Sequence, residues 1–196
     1  RLVGSEMCIR DRYDYVQYVK FISTVFQDFQ LFSMSLKENV SLSRKSDENR
    51  IHGIFDSLGI SPFVKKYKKG LNVRVHKDFD SDGFEPSGGV AQKIAISRAI
   101  YKDTPIIILD EPTAALDPKS ESEIYEQFNE LSKNKLAIFI SHRMASTRFC
   151  DNIIVFKNGS IEEMGSHYEL MEAHSVYWKL FNMQSKYYMS AERGKP

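Results

Sequence analysis

The chain has 196 residues, of which 42% are hydrophobic and 27% are charged, so we expect it to bury one sizeable core. Its 27 basic and 26 acidic residues leave a formal charge of +1, which excludes recruitment to nucleic acid or anionic lipid by an overall positive field. The longest apolar runs, such as 106–109 and 136–140, fall far short of the about 20 residues that cross a bilayer.

The first twelve residues stand apart because their apolar positions follow no period. In order, they match the translation of a transposon adapter used to prepare sequencing libraries. We therefore expect residues 1–12 to be non-native and the native reading frame to continue upstream of Tyr13.

The next segment, residues 13–32, is predicted to hold a core strand at 22–26 that leads to Gln27 in a polar and aromatic turn. Residues 33–101 are predicted to form a mostly helical subdomain. Within it, Ser46 is expected to cap an amphipathic helix that ends at a left-handed Gly59.

A second helix is predicted from Ser87 to Tyr101, followed by an apolar strand at 106–110. Asp117 is then expected to cap a helix that leads to another strand at 136–140. Strands that alternate with helices indicate an α/β fold with a parallel sheet, and we assign residues 102–196 to the C-terminal half of its core.

The last part of the chain is predicted to begin with a hairpin at 153–164, closed by the Asn158-Gly159 turn. Ser166 and Glu169 have the spacing of a capping box. A final helix is expected near 176–188.

The strand at 106–110 ends in two acids, Asp110 and Glu111, at the carboxyl end of a buried strand, where open α/β sheets bind ligands. Asp110 is suited to magnesium, and Glu111 is placed to polarise an attacking water. Taken alone, the pair also fits an ordinary strand end with solvated acids.

Two further positions suit phosphate chemistry. Ser87, Gly88 and Gly89 open a helix, where main-chain amides and the helix dipole attract a phosphate. His142 follows the strand at 136–140 and is placed to donate to a terminal phosphate. The remaining histidines are expected to be surface residues: His52, His76, His167 and His174.

The order of these pieces resembles the nucleotide-binding domain of ATP-binding cassette (ABC) transporters. The matching motifs are the Q-loop 25–27, the signature 86–90, Walker B 106–110 with Glu111, the D-loop 114–117 and the switch 141–143. Segments 29–32, 36–39 and 165–170 look like those of bacterial exporters whose motor is fused behind a membrane domain. The resemblance implies a P-loop NTPase fold of the ABC type, N-terminally truncated, with a helical signature subdomain.

The resemblance also implies a division of labour between two motor domains that sandwich two ATP molecules. Glu111 and His142 would be catalytic, and Asp110 and Gln27 would hold Mg²⁺. The residues that would contact nucleotide are Gln27, Asp110 and Asp117, with Ser87, Gly88 and Gly89 serving the partner's site.

The expected partners are a transmembrane permease domain, upstream in the same polypeptide, and a second ATP-binding domain as homodimer or heterodimer, without nucleic acid. The expected location is the cytoplasmic face of a bacterial plasma membrane. The two cysteines, Cys8 and Cys150, form no disulfide framework, which agrees with a reducing compartment.

The sequence departs from the family in three respects. No Gly-x-x-x-x-Gly-Lys-Ser/Thr occurs in the 196 residues, and the aromatic that stacks on adenine is also missing, so we expect this chain by itself to be inactive. Pro86 stands where a larger apolar residue is usual. Val90 replaces the usual Gln or Glu, which predicts a weakened contact to the partner's nucleotide.

Two other interpretations of the sequence are a non-transport ABC ATPase and a calcium-binding loop. A non-transport ABC ATPase would show long heptad segments or a second cassette, and neither is present in the 196 residues. Residues 78–83 match the first half of a calcium-binding loop, but Gly89 stands where the bidentate Glu is required. Neither the cargo nor the transport direction follows from these residues, although export fits the resemblance better than import.

Overall fold

The computed structural model describes residues 14–113, 121, 124–126, 128 and 132–193. The expected adapter at 1–12 and the D-loop at 114–117, with Asp117, lie outside these ranges. The chain divides into two compact units, Arg1–Ile140 and Ser141–Pro196.

The first unit contains eight described regular elements. In chain order they are α1 Tyr15–Lys20, β1 Ile22–Val25, α2 Leu36–Ser41, α3 Glu48–Ser57, α4 Ser61–Val64, α5 Gly88–Lys102, β2 Ile106–Asp110 and β3 Leu136–Ile140. A 3₁₀ turn at Gly70–Asn72 lies between α4 and α5.

The three strands of this unit form a parallel sheet in the order β1-β2-β3. Val25 is opposite Leu109, and Asp110 is opposite Ile140, so the carboxyl ends of all three strands lie along one edge. This confirms the α/β fold with a parallel sheet. β1 ends at Val25, one residue earlier than predicted, and Phe26 is exposed.

The helical part of the first unit packs around one apolar core. α2 and α3 both contact α5, and buried residues from all three helices fill the space between them: Leu36, Val40, Ile51, Phe55 and Ile94. Burying side chains of this size contributes about 1.5–3 kcal/mol each, so this packing holds α5 beside the sheet.

Two local predictions in this part can be compared with the structure. Ser46 is not the cap of α3, because the carboxylate of the next residue, Asp47, accepts the amide hydrogen of Arg50. Gly59 has φ 66°, as expected for the left-handed residue that ends this helix. The first prediction was wrong by one residue, and the second is confirmed.

The second unit contains α6 Met144–Thr147, β4 Ile153–Lys157, β5 Ser160–Gly165, α7 His167–Glu172 and α8 Val176–Arg193. β4 and β5 form the predicted antiparallel hairpin, with left-handed Asn158 and Gly159 in the turn. The capping box is also confirmed, because Ser166 and Glu169 exchange both hydrogen bonds.

The prediction for His167 was wrong. This residue is half-buried, its Nδ1 lies 2.8 Å from the hydroxyl of fully buried Tyr177, and burial lowers its pKa. α8 supplies Tyr177, so the ring of His167 belongs to the packing between α7 and α8. No helix among the described residues is long and apolar enough to cross a membrane.

Candidate functional site

The candidate site of the first unit lies at the carboxyl edge of the parallel sheet. Gln27 follows the end of β1 and is exposed, and Asp110 ends the neighbouring strand β2 and is partly exposed. Because β1 and β2 are parallel and paired in register, the structure places these two predicted residues at the same edge.

Glu111 follows β2 in an unusual backbone conformation, with φ 46°. Its amide donates to the carbonyl oxygen of Ile140 at 2.9 Å, and its carbonyl oxygen accepts from Nε2 of Gln92 at 3.3 Å. A left-handed conformation costs a non-glycine residue about 1–3 kcal/mol, so it persists only where the surroundings hold it. Here a strand on one side and helix α5 on the other hold the main chain of the predicted base.

The chain just after Glu111 is anchored by a buried polar group. The hydroxyl of Thr113 donates to the carboxylate of Glu121 at 3.0 Å and lies 3.0 Å from the hydroxyl of Tyr125. All three residues are buried. This group fixes the side chain of Thr113, two residues after the predicted base.

The predicted phosphate contacts lie at the N-terminus of α5. Ser87 is the N-cap residue and is exposed, and its side chain makes no capping hydrogen bond within the described part of the chain. The first amides of a helix lack partners inside the helix, and α5 begins with Gly88 and Gly89. Its fifteen-residue length gives this end a positive dipole that suits a phosphate.

The predicted switch residue, His142, belongs to the second unit, and its side chain is exposed. Its carbonyl oxygen accepts from Nε2 of Gln184 at 2.6 Å. Oε1 of the same Gln184 accepts the amide hydrogen of Met144 at 2.8 Å. The hydroxyl of Ser141 accepts the amide hydrogen of Arg143 at 3.0 Å. Side chains from both sides therefore hold the backbone that carries His142.

The residues at the sheet edge fit a magnesium ion that is shared with a phosphate. No group of three or more His, Cys, Asp or Glu side chains in the described ranges is able to hold a metal by itself. Magnesium at phosphate sites commonly takes one or two protein oxygens and completes its shell with phosphates and water. Asp110 and Gln27 offer a carboxylate and an amide oxygen of this kind.

The incomplete calcium-loop match has other contacts. Asp80 and Asp82 both pair with Lys69, at 2.9 and 3.4 Å, and Asp78 accepts from the hydroxyl of Ser33. The hydrogen bond from Lys69 holds the pKa of Asp80 below its usual range. These carboxylates therefore serve an ion-pair cluster on the surface.

Sequence reasoning missed the two glutamines that hold the site's main chain, Gln92 and Gln184. Gln92 is buried and shares its helix face with Ile96 and Ala99, whereas Gln184 is partly exposed and shares its helix face with buried Tyr177. A polar amide at a core-facing position of an amphipathic helix is the signal that would have indicated Gln92, and the spacing from Tyr177 is the weaker signal for Gln184.

Comparison with protein families gives one matching model, described as ABC transporter, over residues 6–114. The matched range covers more than half of the chain and includes Gln27, Ser87, Asp110 and Glu111. It begins inside the segment interpreted as an adapter and ends before His142. Because residues 1–12 lie outside the described part, that interpretation stays a prediction.

Curated relatives include two bacterial transport proteins. The nisin transport ATP-binding protein NisT of Lactococcus lactis subsp. lactis is 38% identical over 167 residues, which cover 84% of this chain and 28% of the relative. An ATP-dependent lipid A-core flippase of Bordetella avium is 36% identical over 165 residues, which cover 83% of this chain and 27% of the relative. The chain thus spans less than a third of the length of these relatives.

A solved structure of a bacterial Atm1-family ABC exporter with ATP bound superposes with a TM-score of 0.78 at 26% identity. The match covers 87% of this chain and 30% of that one. The fold of this chain therefore agrees with part of a solved ABC exporter over most of the chain's length.

Proposed function

This chain belongs to the ABC transporter family, and from that premise we propose that it is part of the ATP-hydrolysing motor of an exporter. The observation that carries the proposal is the carboxyl edge of the sheet, where Asp110 ends β2 and Glu111 follows it, beside the chain that leads to Gln27. ATP is the substrate that suits this edge, because it brings both a phosphate chain and a magnesium requirement.

Glu111 is the proposed base. Ile140 and Gln92 bind its main chain, and these bonds fix the position from which its side chain extends at the sheet edge. A carboxylate placed in this way orients a water for attack on the terminal phosphate and accepts its proton. His142 is the proposed donor to that phosphate, from a backbone held by Gln184.

Magnesium would be held by Asp110 and Gln27, with phosphate and water oxygens, and would neutralise charge on the phosphates. The N-terminus of α5 is proposed to serve the ATP of a second motor domain. There Ser87 and the amides of Gly88 and Gly89 would bind its terminal phosphate. Asp117 is proposed to link the two sites.

The second motor domain is proposed to be a copy of this chain or a close homologue, and the permease a membrane domain of the same polypeptide. The two curated relatives are named a nisin transport ATP-binding protein and an ATP-dependent lipid A-core flippase, and these names support a role in export. The motor is proposed to lie on the cytoplasmic face of a bacterial membrane. Because the printed residues carry no phosphate-binding Lys motif, the 196-residue chain alone is proposed to be inactive.

The test is ATP turnover by the protein encoded by the complete gene, purified in detergent, with and without Glu111→Gln. This substitution keeps size and hydrogen bonding but removes the base, so we expect turnover to fall by about 10²–10⁴ while ATP still binds.

Glu162→Gln is the matched control, because Glu162 is exposed and pairs with Lys157 in the hairpin. Turnover of the Glu111→Gln protein within about twofold of wild type would remove Glu111 from its role as the base.

A further inference from the structure

The C-terminal helix α8 contacts the switch segment directly. The carboxamide of Gln184 bonds on both sides of Arg143, because its nitrogen donates to the carbonyl oxygen of His142 and its oxygen accepts the amide hydrogen of Met144. The two distances are 2.8 Å to the amide of Met144 and 2.6 Å to the carbonyl oxygen of His142, so both are within hydrogen-bonding distance. One side chain thus spans the backbone of the switch.

Two further anchors hold the start of α8, one to α6 and one to strand β5. Near its start, the hydroxyl of buried Tyr177 lies 2.6 Å from the hydroxyl of Thr147, which is in α6 just after the switch. At its N-terminus, the carboxylate of Glu163 accepts the amide hydrogens of Val176 and Tyr177 at 2.7 and 2.9 Å. These contacts fix where Gln184 lies along α6 and the switch.

We propose that Gln184 is a positioning residue for His142, so that α8 sets the geometry of the switch from a site distant in the sequence. The inference rests on the proposed role of His142 in ATP hydrolysis. The imidazole of His142 is exposed, and the carbonyl oxygen of the same residue is bound by Gln184. Because this bond restricts rotation of the main chain at His142, it keeps the ring from moving away from a phosphate.

A carboxamide is chemically suited to make both halves of this contact. It is neutral and offers a donor and an acceptor at one end of a side chain. A glutamate of the same size would keep the acceptor for Met144 and lose the donor to His142, whereas a leucine would lose both. Comparing Gln184→Glu with Gln184→Leu therefore separates the effect of the donor to His142 from that of the acceptor for Met144.

The experiment uses the full-length protein with Gln184→Leu, Gln184→Glu and His142→Ala. Asn182→Leu is the matched control, because Asn182 lies in the same helix and its amide donates to the carbonyl oxygen of Trp178 within that helix. The readouts are kcat and KM for ATP, and hydrogen exchange at the amide of Met144.

For Gln184→Leu we expect kcat to fall about tenfold, KM to change by less than about twofold, and the Met144 amide to exchange about tenfold faster. Gln184→Glu is expected to keep slow exchange at Met144 and still lower kcat, whereas Asn182→Leu should match wild type in every readout. A purely structural role would lower the amount of folded protein without this separation of kcat from KM.

The outcomes separate a failure of the proposed role of His142 from a failure of the positioning role of Gln184. If His142→Ala leaves kcat unchanged, the proposed role of His142 fails, and with it the role of Gln184. If His142→Ala abolishes turnover while Gln184→Leu changes neither kcat nor exchange at Met144, only the positioning role of Gln184 is overturned.

Discussion

The buried side chain of Gln92 donates to the main-chain carbonyl oxygen of Glu111, across 3.3 Å, and so joins the signature helix α5 to the end of strand β2. Helix α5 carries the proposed phosphate contacts of one site, and β2 carries the proposed base of another. The contact therefore couples the position of α5 to that of the main chain at the end of β2.

We predict that Gln92→Leu lowers ATP turnover of the full-length protein by about tenfold, because Glu111 then loses a hydrogen bond that holds its left-handed backbone. ATP affinity should change little, and both quantities are measured by steady-state kinetics and nucleotide titration.

The control for Gln92 is Ser97→Ala, since Ser97 is buried in the same helix and donates to Lys93 within it. Equal losses of turnover in both variants would show that any buried polar change in α5 has this effect, and would remove the specific role of Gln92.

A second prediction concerns Asn39, which is fully buried at the start of the helical part. Its amide nitrogen donates to the carbonyl oxygens of Phe32 and Ser35, and its side-chain oxygen accepts the amide hydrogen of Phe32. Without this side chain the amide hydrogen of Phe32 loses its acceptor and the carbonyl oxygens of Phe32 and Ser35 each lose one donor, so Asn39→Ala should lower the free energy of unfolding by about 2–3 kcal/mol.

Urea denaturation followed by circular dichroism measures this loss. Asn49→Ala serves as the control, because Asn49 is exposed in α3 and should change stability by less than about 0.5 kcal/mol. Equal effects at the two positions would contradict the anchoring role of Asn39.

The third prediction is a pH dependence at Glu163. The hydroxyl of Ser175, then the amides of Tyr177 and Val176 and the charge of Lys157, hold the pKa of this carboxyl below its usual range. A lowered folded-state pKa means that the carboxylate contributes stability above the ordinary glutamate pKa of about 4.3, and that this contribution disappears as pH falls through the lowered value.

We therefore expect Glu163→Gln to lower the thermal midpoint at pH 7, because one of the two oxygens that accept the helix amides is replaced by an NH₂ group, which only donates. The difference from wild type should shrink between pH 5 and pH 3. Glu172→Gln, at an exposed position of α7, should show no such convergence. If the difference in thermal midpoint between Glu163→Gln and wild type stays constant with pH, the stabilising role of the ionised carboxylate is contradicted.

The fourth prediction concerns Val90, in the first turn of α5, where the family usually has a glutamine or glutamate. Val90 is half-buried and packs against the apolar core. Val90→Gln should raise ATP turnover several-fold at most, since a polar contact near the nucleotide is worth about 0.5–1.5 kcal/mol. It should also lower the thermal midpoint slightly, because an apolar contact is lost.

Turnover at saturating ATP in the full-length protein, alone and with any neighbouring half-transporter, tests the effect of Val90. An unchanged or lower rate in both settings would show that Val90 does not weaken the signature.

The sequence by itself determined the parts of this protein that depend on neighbours along the chain. The strands at 106–110 and 136–140, the Asn158-Gly159 turn and the capping box of Ser166 all follow from patterns within about four residues, and all are present in the structure. The ordered motifs were also enough to identify the family. The sequence pattern does not decide which of two adjacent polar residues caps a helix, since Asp47 and not the predicted Ser46 caps α3.

Only the tertiary structure decided how the proposed catalytic residues are held. Glu111 depends on Gln92 and on Ile140, and the backbone of His142 depends on Gln184, which lies 42 residues further along the chain. Glutamine at a core-facing helix position is visible in the sequence, but its partner is not. The partner is set by which helix face packs against which strand end or loop, and that packing is the outcome of burying the whole core.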